Sequence, residues 1–258
     1  MAKSTSAWFQ CGPVNDQIEL KLFCFPYAGG TALVFKKWSG YLPFTVQVIP
    51  VELPGRGGRL REPPFVGMPA LIDELSEAIG QLLDKPFVFF GHSMGAIIAF
   101  ELARALRRRY NCEPQSLFVA GRRAPQVPNS EPVTYHLPKE EFIKELIELG
   151  GTPKEVIENE DLMEMMIPML KADFQLIQTY EYTVAPPLRC PIAVYGGLQD
   201  SHVSRDMLLP WKEMTTSKFS LHMLPGDHFF IRSSQDLLLR LLARELHDVI
   251  IDSRADHA

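Results

Sequence analysis

Six short apolar runs punctuate the chain: Leu20–Phe25, Val46–Val51, Phe87–Phe90, Leu117–Ala120, Ile192–Tyr195 and Phe219–Leu224. Most lack strict apolar/polar alternation, as strands do when a parallel sheet is covered on both faces. Between them the spacing becomes helical. Across Pro69–Asp84, Leu71, Ile72, Leu75, Ala78, Ile79, Leu82 and Leu83 recur every three or four residues, which predicts an amphipathic helix. Met94–Leu106 is apolar almost all round and predicts a buried helix ending near Arg107–Arg109. Gln235–Ile251 predicts a closing helix with a leucine-rich face. Strands and helices in alternation imply an α/β fold with a mostly parallel sheet flanked by helices.

One stretch departs from this rhythm. From Pro128 to Pro187 there is no strand pattern, only helical spacing at Lys139–Leu149, Lys154–Asn159 and Asp161–Tyr182. A connection of about 60 residues is far longer than ordinary loops between strand and helix. Its wealth of Leu, Ile, Met and Phe predicts a helical lid, residues 128–187, inserted into a core of residues 1–127 and 188–258. Pro168 is expected to kink or break the last of its helices. Met163, Met165, Met166 and Met169, with Phe174 and Tyr180, would give the lid a soft, adaptable apolar face. Such a stripe is more often core than pocket wall; Met166 and Phe174 are the residues put forward as substrate contacts.

The chemistry centres on Gly91-His92-Ser93-Met94-Gly95, which matches G-x-S-x-G. It follows the run Phe87–Phe90 and opens the helix at Met94, the strand–turn–helix context in which such a serine stands exposed on a tight turn. Small residues on either side are a steric need, because strand and helix approach closely there. A serine is a poor nucleophile without a base, and the base needs an acid to orient it. In this arrangement the chain order is Ser, acid, His. Asp200 follows Ile192–Tyr195 through Gly196-Gly197, and His228 follows Phe219–Leu224 through Pro225-Gly226-Asp227, so both fall where strands end. Asp206 lies too far along, Asp227 is badly placed beside the ring it would have to bond, and Gly121-Arg122-Arg123 offers no carboxylate. Of the histidines, His92, His202 and His222 do not follow a strand end in the right order. An oxyanion needs two backbone N–H donors. Met94 supplies one, and the loop Phe25-Pro26-Tyr27-Ala28-Gly29-Gly30 the other, through Ala28 or its neighbour Tyr27.

Composition narrows the alternatives. With 258 residues, 46% of them apolar, the chain can bury a core without disulfide or metal staples. A net charge of −5 argues against non-specific nucleic-acid binding, which needs a basic face. No phosphate-binding G-x-x-x-x-G-K-[ST] or G-x-G-x-x-G is present. The four cysteines, Cys11, Cys24, Cys112 and Cys190, are too scattered for a C-x-x-C pair and suit a reducing compartment. Met1–Leu20 has no apolar leader and no run reaches 18 apolar residues. A cytoplasmic chain with no metal, no cofactor and no membrane partner, acting as a monomer, is the expectation.

Taken in order, Phe25–Gly30, Leu53-Pro54-Gly55-Arg56-Gly57, Gly91–Gly95, Gly196-Gly197 with Asp200, and Gly226-Asp227-His228-Phe229-Phe230 resemble the type II thioesterases of the α/β-hydrolase superfamily. Those are the stand-alone editing enzymes of polyketide and non-ribosomal peptide synthesis. The resemblance spans nearly the whole chain. It implies hydrolysis of acyl or aminoacyl thioesters from the phosphopantetheine arm of an acyl or peptidyl carrier protein, with Ser93, Asp200 and His228 catalytic and Tyr27 and Phe229 beside the substrate. Carriers in such systems are typically acidic. The basic clusters Arg56/Arg59/Arg61, Arg107–Arg109 and Arg122/Arg123 are therefore candidate docking points, Arg122 and Arg123 foremost because they lie at the catalytic edge. The same three residues could instead serve a small-molecule carboxylesterase or acyltransferase. A silent carrier-binding scaffold would need a broken triad, and none is seen.

Overall fold

A computed structural model describes residues 5–12 and 15–255. All six runs form strands: β1 Leu20–Phe25, β2 Val46–Pro50, β3 Phe87–His92, β4 Leu117–Ala120, β5 Ile192–Gly197 and β6 Phe219–Leu224. They make one sheet in the order β2-β1-β3-β4-β5-β6, every neighbouring pair parallel. Val51, read as the end of β2, instead bridges antiparallel to Phe9.

The missing alternation has a plain cause, since both faces are covered. Phe23, Phe25, Phe87 and Phe89 point into one core with the helices Met68–Gly80 and Met94–Tyr110. Leu22, Cys24, Val88 and Phe90 point into the other, with Phe35, Trp38 and the leucines of the closing helix Gln235–Ala255. The helix from Met94 ends at Tyr110, close to the expected stop. Arg107, Arg108 and Arg109 occupy its last turn, where positive charge suits the helix carbonyl end.

The long connection between β4 and β5, called the insertion below, is helical: Lys139–Leu149, a single turn Lys154–Ile157, and Glu160–Gln178. The middle piece is short because Asn159 leaves it to cap the next helix, its side chain accepting from the Leu162 N–H at 3.0 Å. Pro168 does not break that helix, which continues through it. Both Pro168 and Glu164, whose carbonyl loses its helical partner, are on the exposed side, so the missing bond leaves no buried group unpaired. Phe142, Leu146, Met163, Met169 and Leu170 form a small core of the insertion's own.

Parallel strands in register end together. Phe25 pairs with Gly91, His92 with Ala120, Ala120 with Tyr195 and Gly197 with Leu224. The loops after β1, β3, β4, β5 and β6 therefore open on one edge, beneath the insertion.

Candidate active site

The turn after β3 is strained in the way its glycines anticipate. Ser93 has φ 52° and ψ −113°, a positive φ rare for a residue with a side chain. A Cβ on Gly91 would collide with the Gly95 carbonyl, and one on Gly95 with the carbonyl of Phe25. The Ser93 N–H donates to the Ala120 carbonyl at 2.8 Å, fixing the turn against β4.

Ser93 Oγ lies 3.0 Å from His228 Nε2, and His228 Nδ1 lies 2.8 Å from Asp200 Oδ2. The other Asp200 oxygen accepts from the N–H groups of His202 and Val203 at 2.9 and 3.0 Å. The Asp200 side chain is wholly buried. Burial alone would raise its pKa, but the His228 hydrogen bond and charge, with those two N–H groups, outweigh it and hold the carboxyl below its ordinary value. Asp200 stays ionised and fixes the imidazole, which leaves Nε2 facing the hydroxyl. Asp227 spends its carboxylate on the Phe229 N–H at 2.8 Å, and Asp206 sits exposed in the first turn of a short helix.

His92 packs directly behind His228, ring centroids 5.4 Å apart, fully buried and with neither ring nitrogen hydrogen-bonded. Burial, then the charge of His228, keep it well below the ordinary histidine range and so neutral. It is an aromatic spacer against Tyr27, Phe229 and Phe230.

The loop after β1 has two N–H groups already taken. Gly30 donates to the Tyr27 carbonyl at 2.8 Å, and Gly29 to Asp173 Oδ2 at 2.7 Å. Ala28 and Tyr27 remain, both lining the cavity with Met94, the first residue of its helix, whose N–H has no intrahelical acceptor. Asp173 comes from the middle of the insertion helix Glu160–Gln178 and is buried with Arg56, whose two terminal nitrogens donate to its two oxygens at 2.8 and 2.6 Å. Arg56 also donates to the Gly30 carbonyl at 3.1 Å. A buried, bidentate ion pair thus ties the insertion to the glycine loop. Sequence reasoning missed it, although the signal exists: Asp173 stands four residues after Met169 and three after Leu170, a charge on the apolar stripe.

A cavity of about 350 Å³ opens over Ser93. Of the expected substrate contacts, Tyr27, Phe174 and Phe229 line it, whereas Met166 packs against the insertion's own core and does not. Arg122 and Arg123 also line it; Arg123 is buried, with Glu131 at 3.8 Å. Arg56 and Arg59 are buried and internally paired, Arg59 with Glu62 at 2.7 Å and over the Trp8 ring, so neither is offered to a partner. His202, set aside as the base in the sequence, and Glu131 line the cavity and bond each other at 3.1 Å. Among the described residues no three His, Cys, Asp or Glu side chains gather as a metal site needs, and no helix is long and apolar enough to cross a membrane.

The family described as "Thioesterase domain" matches residues 20–247. The chain belongs to the thioesterase family. It is 41% identical to the linear gramicidin dehydrogenase LgrE of Brevibacillus parabrevis, the alignment covering 97% of each chain. It is also 41% identical to the gramicidin S biosynthesis protein GrsT of Aneurinibacillus migulanus, over 94% of this chain and 95% of that one. Among solved structures, the type II thioesterase BorB of the borrelidin cluster superposes with a TM-score of 0.85 at 32% identity, covering 93% of this thioesterase and 98% of BorB. The fold is that of the α/β-hydrolases, and the enzyme is a hydrolase of the type II thioesterase kind found in polyketide and non-ribosomal peptide pathways.

Proposed function

We propose that this thioesterase cleaves acyl or aminoacyl groups from the phosphopantetheine arm of a carrier protein through an acyl-enzyme on Ser93. The observation that carries the reading is the Ser93–His228–Asp200 chain of hydrogen bonds under a roofed cavity, in a member of this family. Ser93 Oγ passes its proton to His228 Nε2 and attacks the thioester carbonyl. The N–H groups of Met94 and Ala28 hold the oxyanion. The C–S bond breaks, and the pantetheine sulfur leaves with the proton from His228. Water then gives a proton to His228 and attacks the acyl-serine; the acid departs as the proton returns to Ser93 Oγ. Asp200 holds the imidazole in its working tautomer throughout. Residues 128–187 act as the lid, over a core of 1–127 and 188–258, in a monomer working in the cytoplasm beside its carriers. The dehydrogenase in LgrE's name has no counterpart motif here, since G-x-G-x-x-G is absent.

The test compares kcat/KM on acyl-loaded carrier proteins, and on an aryl ester of equal chain length. Preference for the carrier thioester supports the reading; clear preference for the ester assigns the site to a small-molecule carboxylesterase or acyltransferase.

A further inference from the structure

Arg122 is the arginine of the cavity without an ion-pair partner among the described residues, whereas Arg123 faces Glu131. It follows Ala120, whose carbonyl holds the Ser93 N–H, by two residues, so its backbone lies within about 7 Å of that hydrogen bond. That backbone is fixed, the Arg122 carbonyl accepting from Trp211 Nε1 at 2.8 Å and the Ala124 N–H donating to the Met207 carbonyl. Its Nε is buried without a hydrogen-bond partner, and among the described residues no carboxylate forms an ion pair with its guanidinium. Three nearby acids are committed elsewhere. Glu131 is shared between Arg123 and His202, Asp200 holds His228, and Glu101 takes Arg104 and the Tyr180 hydroxyl. Burial, then the neighbouring charge of Arg123, pull Arg122 down to about 9, and the carboxylate charge that reaches it is Glu131's alone. Glu145 and Glu148 also line the cavity, from the insertion helix Lys139–Leu149, and neither is among the charges acting on Arg122.

A half-buried planar guanidinium with its Nε buried and unpaired, lining the cavity over Ser93, is a ready receptor for a carboxylate, whose two oxygens match its fork of donors. We propose that Arg122 is an anion-recognising subsite of the acyl cavity, so that acyl groups ending in a carboxylate are released faster than neutral acyl groups of equal length. The proposal rests on the reading of the cavity as the acyl site over Ser93.

The experiment compares glutaryl and pentanoyl thioesters of pantetheine with the wild-type enzyme and Arg122→Met, which keeps the aliphatic stem. A charge-assisted pair in a half-buried site corresponds to a preference on the order of 10- to 100-fold in kcat/KM for glutaryl. Arg122→Met should erase that preference while pentanoyl turnover holds within about threefold of wild type. Equal rates for the two acyl groups in the wild type overturn the proposal, and so does an equal loss on both in Arg122→Met, which marks a structural role. The same pair on phosphopantetheine separates two sources of anion. If the Arg122→Met loss follows the arm's phosphate and not the acyl carboxylate, the acyl assignment is wrong. Should no thioester be cleaved, the thioesterase reading of the site fails instead. Aryl esters of the same two acids then give the glutaryl preference, and its presence or absence decides the subsite independently.

Discussion

Removing the charge of Asp173 should damage catalysis from a residue that touches no reacting atom. Its carboxylate accepts three hydrogen bonds, from Gly29 at 2.7 Å and from the two terminal nitrogens of Arg56 at 2.8 and 2.6 Å. Asp173→Asn keeps the shape but only one acceptor oxygen, and turns an NH₂ toward groups that are themselves donors. Breaking one side of a buried pair costs about 3–5 kcal/mol, because the remaining charge is stranded. The glycine loop then loses the bond that sets Gly29, and with it the aim of the Ala28 N–H. Loss of one oxyanion donor costs roughly 10²–10³ in kcat. Asp173→Asn should therefore lower kcat by at least tenfold with a smaller change in KM, alongside a lower urea midpoint. Stability and positioning are separated by the double variant Arg56→Met/Asp173→Leu. Replacing both charges with apolar side chains removes the stranded cation and should restore much of the midpoint, while Gly29 still lacks its acceptor and kcat stays low. Recovery of kcat together with stability in the double variant would refute the positioning argument.

Three further outcomes are expected. Ser93→Ala should lose about 10⁴–10⁶ in turnover and all labelling by a fluorophosphonate probe; retention of a tenth of wild-type activity removes Ser93 from the mechanism. Gly95→Ala forces a Cβ into the Phe25 carbonyl, a backbone atom that cannot rotate away. It should destabilise by about 3 kcal/mol or more by denaturant melt, and a change below about 1 kcal/mol contradicts the close approach. His92 resists protonation when folded but takes a proton when unfolded below about pH 6.5. The unfolded state then binds more protons, so wild-type stability falls as pH drops beneath that value, by up to about 1.4 kcal/mol per pH unit. His92→Phe should flatten that slope between pH 7 and 5.5, and an unchanged slope places the titration elsewhere.

The strands and the serine turn were legible because their causes are local. A strand covered on both faces must be apolar throughout, and a turn that seats strand against helix must be flanked by small residues, so Phe87–Gly95 declares itself within nine positions. Ser93, Asp200 and His228 could be ordered by eye because parallel strands bring successive loops to one edge. What failed to show in the sequence is pairing across distance. Arg56 and Asp173 lie 117 residues apart, and nothing periodic links them. Arg56 and Arg59 read as an exposed basic cluster because sequence spacing cannot tell a solvated guanidinium from one buried against Asp173 or Glu62. Pro168 was expected to kink or break its helix; it does not break it, because a lost helical hydrogen bond on a wet face costs less than one in a core.

The insertion helix Glu160–Gln178 has two duties that its sequence cannot separate. Leu170, Phe174, Ile177 and Gln178 line the cavity above Ser93, while Asp173, on the same turns, holds the loop that carries Ala28. Shifting this helix to admit a bulkier acyl group would strain the Arg56–Asp173 pair and so disturb the proposed oxyanion donors. The wall and the donor loop are coupled through one ion pair. Substrate breadth is more readily accommodated elsewhere in the roof, in the helix Lys139–Leu149 and the Gly151 corner. There the insertion meets Phe229 and takes one hydrogen bond from Arg232 to the Gly151 carbonyl at 3.2 Å. Substitutions that widen acyl tolerance should thus be found at Leu146, Leu149 and Thr152, with kcat on short acyl groups preserved. Equivalent changes at Leu170 or Phe174, beside Asp173, should gain bulk tolerance only at a cost in kcat, and the two sets compared by kcat on short and long acyl thioesters test that division of the roof.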